Sequence, residues 1–95
     1  MSERLVEVVP EAGLHARPAS EFVETVNEYE ADVRISREGS DDLVGAGSML
    51  AVTSLGVRSG ESVRIVAEGP DEEAALDALE AVLSTPEDEL ADTNT

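Results

Sequence analysis

The chain holds one histidine, and its setting is Gly13-Leu14-His15-Ala16-Arg17-Pro18-Ala19. A neutral imidazole is a nucleophile that can hold a phosphoryl group as a reactive phosphoramidate. Such a site has two needs: a ring neutral near pH 7, and donors that stabilise a dianion without sealing it in. A helix start at Ala16 would meet both, because its unpaired N–H groups and partial positive charge disfavour imidazolium and receive phosphate oxygens. The backbone N–H groups of Ala16 and Arg17 are the expected phosphate donors, and the Arg17 guanidinium adds a planar fork of N–H groups. Gly13 allows close backbone approach, and Pro18 suits a first helical turn. Taken singly, each residue has an ordinary reading: a capping or solvated histidine, a surface arginine, a helix-punctuating proline. Together they favour phosphoryl chemistry.

The elements around this run follow from its periodicity. Leu5 to Val9 reads as a strand with Val6 and Val8 on one face. From about Ala16 to Glu28, Ala19, Phe22, Val23 and Val26 recur at helical spacing. Ala31 to Arg37 alternates, with Val33 and Ile35 inward and Asp32, Arg34 and Ser36 outward, and Gly39 to Asp42 turns the chain into a short return strand over Leu43 to Ala46. Ser48 suits the N-cap of a short helix from Met49 to Leu55, stopped by Gly56. Ser62 to Glu68 alternates again. Asp71 is the expected cap of a last helix with Glu72 and Glu73 in its first turn and a buried stripe of Ala75, Leu76, Leu79, Val82 and Leu83. The reading is one α+β domain over residues 1–85, with helices layered on one antiparallel sheet. Residues 86–95 form an acidic tail expected to be disordered.

Composition narrows the partners. The chain carries 22 acidic residues against six bases, all arginine, for a formal net charge of −16. Such a surface repels nucleic acid and anionic membranes. The acids are spread along the whole chain, which favours adaptation to a salty cytoplasm over recognition of a basic partner, because molar salt shortens the screening length to about 3 Å. Without cysteine there is no disulfide, thiolate metal site or thiol nucleophile. A second histidine, a P-loop and an evident carboxylate pair are also missing, so a self-sufficient enzyme is not expected. No metal or cofactor is expected; Asp41-Asp42 reads as a turn. The first residues are too charged for a signal peptide, and no run of residues is apolar enough to span a membrane, so a cytoplasmic protein is expected.

The segment Gly13 to Ala19 resembles the active-site signature of the histidine-containing phosphocarrier family, HPr, of the sugar phosphotransferase system. Ser48 to Val57 followed by Gly60 is similar to that family's second signature, and Gly69 to Leu76 to the start of its last helix. The likeness runs from about Leu5 to Leu83, in order and near the family spacing. It implies an open-faced β-sandwich of order βαββαβα, a four-stranded antiparallel sheet covered on one face by three helices. It also implies a monomer in which His15 accepts phosphate, on Nδ1, from an Enzyme I charged by phosphoenolpyruvate and passes it to an enzyme IIA domain, with Arg17 stabilising the group in transit.

Ser48 falls where some bacterial relatives are phosphorylated by a kinase, but the basic residue common before it there is Gly47 here, and capping is the favoured reading of Ser48. Met49, Leu50 and Thr53 correspond to a patch that relatives use for docking; exposure and inward packing of Met49 and Leu50 remain equal alternatives at this stage. The neighbouring helix offers Glu21, Glu24 and Asn27 instead of the Lys and Arg that many relatives carry, which suggests docking by apolar contact. Two further readings are the same chemistry serving a dihydroxyacetone kinase or a nitrogen-regulatory branch, and a metabolite-binding regulatory domain in which His15 is incidental.

Overall fold

The computed structural model describes residues 1–11, 13–14 and 16–85. The chain runs β1 (Ser2–Glu7), α1 (Ala16–Val26), β2 (Asp32–Arg37), β3 (Val44–Gly45), α2 (Met49–Ser54), β4 (Ser62–Glu68) and α3 (Glu72–Ser84). The four strands form one sheet in the order β1-β4-β2-β3, with every neighbouring pair antiparallel. All three helices pack on one face, and the other face is open. This is the expected α+β order and layering.

The core is aliphatic apart from Phe22. Val6, Val33, Ile35, Val63, Ile65 and Ala67 from the strands meet Ala19, Phe22, Val26, Val52, Ala75, Leu76, Leu79 and Leu83 from the helices, all buried. Burial of side chains of this size contributes about 1.5–3 kcal/mol each for the larger ones, so the alternating strands and the helical stripes have one arrangement that hides them all. Val23 and Val82, expected in the stripes, are half-buried at their edges.

The structure corrects four local expectations. β1 starts at Ser2 rather than Leu5, because β4 offers a full antiparallel ladder from Ser2↔Ala67 to Glu7↔Ser62. Val8 leaves the regular ladder yet stays buried and donates its N–H to Glu61 O at 2.8 Å. β3 is only two residues long. Ser36 lies on the outward face, paired with Arg64, but is buried, and its hydroxyl donates to Ser40 O at 3.2 Å. The turn that follows β2 folds back over it.

Asp71 is the fourth. It makes no side-chain cap of α3. Its two carboxylate oxygens instead accept the backbone N–H groups of Glu30 and Ala31, each at 2.9 Å. A residue of capping type at the right place is thereby used to pin the α1–β2 connection. The expected tail, residues 86–95, lies outside the described residues.

Candidate phosphotransfer site

The site is built where three connections meet: the β1–α1 loop, the start of α1, and the α2–β4 loop. Gly13 has a left-handed φ of 74°, and a Cβ placed on it would lie 2.6 Å from Val57 O and 2.9 Å from Arg58 Cα. Only glycine fits, since both neighbours are backbone and cannot turn aside. Leu14 then donates its N–H to Val57 O at 3.0 Å, and its side chain is buried. The glycine of the signature therefore lets one loop lie flat against another.

The α2–β4 loop is itself held firmly. Gly60 N–H donates to Val8 O at 2.7 Å, Ser59 Oγ donates to Val9 O at 3.3 Å, and Glu61 N–H donates to Arg58 O at 3.0 Å. Glu61 Oε1 accepts the backbone N–H of Arg58 at 2.8 Å, while its Oε2 pairs with Arg37 at 3.1 Å. The platform beneath the signature is thus fixed by backbone and carboxylate bonds from several directions.

α1 begins at Ala16, and its first turn contains no acid. Arg17 is exposed there and Pro18 is buried. The helix start supplies orphan N–H groups and a partial positive charge, and its own first turn brings no carboxylate to them. His15 and the side chain of Ala16 lie outside the described residues. Among the described residues, Arg4, Arg34, Arg37 and Arg64 are all in ion pairs, whereas Arg17 and Arg58 are in none. Arg58 carries no signal in the sequence; only the long-range bond from Leu14 to Val57 brings it to this loop.

α2 decides between exposure and inward packing of its apolar residues. Ser48 is the N-cap: its backbone is extended, and Oγ accepts the N–H of Ala51 at 3.3 Å. Met49 is 40% and Leu50 76% exposed, so both point outward rather than into the core. The Thr53 hydroxyl donates to the carbonyls of Met49 and Leu50, at 2.9 and 3.2 Å. α2 packs on α1, so the exposed apolar pair borders the helix that His15 precedes.

The family profile described as the "PTS HPr component phosphorylation site" matches residues 2–85. The chain belongs to the HPr family. It is 71% identical, over 90% of its own length and 96% of the relative's, to the phosphocarrier protein HPr of Haloferax volcanii. The crystal structure of HPr-C-His from Thermoanaerobacter tengcongensis superposes with a TM-score of 0.82 at 36% identity, covering 97% of this chain and 98% of that one. Part of the multiphosphoryl transfer protein of Vibrio cholerae is also similar, at 43% identity over 70% of this chain and 17% of that protein.

The chain is accordingly a phosphocarrier of the phosphotransferase system, a carrier and not an enzyme. The Haloferax relative agrees with the salt-adapted reading of the composition. No described helix is long and apolar enough to cross a membrane.

Proposed function

We propose that His15 is the residue that carries the phosphoryl group, on its Nδ1. Phospho-Enzyme I, charged by phosphoenolpyruvate, supplies the group, and an enzyme IIA domain removes it. The observation that carries this reading is the helix start itself: the chain's one histidine immediately precedes α1, whose first turn holds Arg17 and no acid. The orphan N–H groups of Ala16 and Arg17 and the Arg17 guanidinium receive the phosphoryl oxygens. The same donors oppose the dianion's repulsion from the acidic surface once the group is on the ring.

Met49, Leu50 and Thr53 form the docking patch for both partners, and the protein works as a cytoplasmic monomer. Glu24 is exposed and Glu21 half-buried on α1, and Asn27 is exposed just past its end, so docking rests on apolar burial rather than charge attraction. Burial of apolar surface survives molar salt, where charge steering does not. Binding to its own Enzyme I should therefore hold or strengthen as potassium chloride rises to the molar range.

The deciding experiment incubates the protein with Enzyme I and phosphoenolpyruvate in molar potassium chloride and reads intact mass. A gain of one acid-labile phosphoryl group, absent in His15→Ala, is the expected result. A folded protein that gains nothing, beside an Enzyme I that phosphorylates itself, would make His15 incidental.

A further inference from the structure

We propose that Arg58 is a second phosphate-binding residue, whose guanidinium joins that of Arg17 on the phosphoryl group carried by His15. This rests on the reading of His15 as the carrier residue.

Three observations place it there. The backbone of Arg58 lies against Gly13, within 2.9 Å of where a Cβ would be, and Leu14 is hydrogen-bonded to the carbonyl of Val57. Successive Cα atoms are about 3.8 Å apart, so position 15 is at most about 7.6 Å along the chain from Gly13. One extended arginine side chain spans that distance.

The second observation is how the loop is held. Glu61 is bonded to Arg58 through the main chain, and both of its oxygens are engaged: one on the Arg58 backbone N–H, the other on Arg37. The loop is anchored through its main chain while the Arg58 side chain stays exposed.

The third is the distribution of charge. In a chain of net charge −16, four of six arginines are tied into internal ion pairs. Arg17 and Arg58, the two that are not paired among the described residues, flank the same loop. An exposed guanidinium on so acidic a surface would ordinarily find a carboxylate. Two arginines converging on one dianion give it planar donor forks from two directions, which a single arginine cannot do. The ligand is the phosphoryl dianion, and Arg58 acts by contact with its oxygens.

The test charges the full-length protein chemically, so that it depends on no partner. With phosphoramidate, an imidazole nitrogen forms a bond to phosphorus, the phosphorus–nitrogen bond to ammonia breaks, and ammonia leaves with the imidazole proton as ammonium. The second ionisation of the phosphoryl group is then titrated by phosphorus NMR in about 1 M potassium chloride, where the screening length is about 3 Å and only contacting charges register.

A nearby cation favours the dianion, so removing it raises the midpoint. Arg58→Ala should raise it by about half a pH unit or more, and Arg58→Lys by less. Arg17→Ala should raise it as well. Arg34→Ala makes the same charge change on the open sheet face and should leave it unmoved. A midpoint unmoved in Arg58→Ala, with the protein phosphorylated and folded, overturns the assignment of Arg58 alone. Equal shifts in Arg58→Ala and Arg34→Ala overturn it too, since they would reflect net charge only. If the wild type takes up no more phosphoryl than His15→Ala, the carrier reading falls and this proposal with it.

Discussion

The starts of α1 and α3 are built from opposite materials. At α3, Glu72 and Glu73 occupy the first turn. Glu72 accepts the Ser2 hydroxyl and the Gly69 N–H, the latter at 3.1 Å. One turn on, Arg4 reaches across from β1 to Asp77 at 2.6 Å and Glu80 at 3.0 Å. The positive end of that helix is spent on the protein's own carboxylates, which weld β1 to α3. At α1 no acid enters the first turn, and the two arginines nearby find no internal partner among the described residues. On the proposed reading of α1, a site for an anion on a surface this acidic is defined less by gathering cations than by withholding carboxylates.

Arg17→Glu is the most direct attempt to erase the difference, since it gives α1 an acid where α3 has one. Phosphoryl transfer from Enzyme I should fall by about 10²–10³-fold, the cost of removing and reversing a charge-stabilising donor. Stability should hold or rise by about 0.3–1 kcal/mol, because an acid near a helix N-terminus is favourable. A single-turnover assay beside urea unfolding in high salt reads both. A large loss of stability would mean that Arg17 is structural.

Asp71→Ala attacks the other end of the comparison. Two backbone N–H groups lose a charged acceptor, and stability should drop by about 1–3 kcal/mol. Phosphoryl transfer should be unchanged at temperatures where the variant stays folded. A transfer defect without a stability defect would show that the two helix starts are coupled.

The smallest effect concerns pH. The Ser2 hydroxyl first, and the Gly69 N–H second, hold the Glu72 carboxyl below its ordinary value of 4.5. A depressed carboxyl contributes stability that is full above the unfolded value and is lost as pH falls through the folded one. Wild type should therefore exceed Glu72→Gln in urea midpoint at neutral pH, and the gap should close below pH 4.5. A gap that persists at lower pH would assign the contribution to packing rather than to charge.

The sequence alone determined the element types and their order, and it singled out the run proposed here as the site. Alternation over Val33-Ile35 and Val63-Ile65-Ala67, and helical spacing over Ala19-Phe22-Val26 and Leu76-Leu79-Leu83, are local signals read without a partner. The run from Gly13 to Ala19 was legible because a histidine, an arginine and a proline at those offsets carry their chemistry within seven residues. Ser48 kept its capping role because an N-cap bond spans only three residues.

What the tertiary structure decided lies across longer separations. Asp71 has the residue type and place of a cap, but Glu30 and Ala31, 41 and 40 positions earlier, claim its oxygens. The exposure of Met49 and Leu50 depended on which face of α2 meets α1. Ser36 was buried by a turn. Arg58 came to the β1–α1 loop through Gly13 and Leu14, more than forty residues away in the chain. Periodicity encodes which residues seek the core, because burial is a property of each side chain. It does not encode which loops touch, because that contact exists only once the sheet has closed and both loops are fixed at the same end of it.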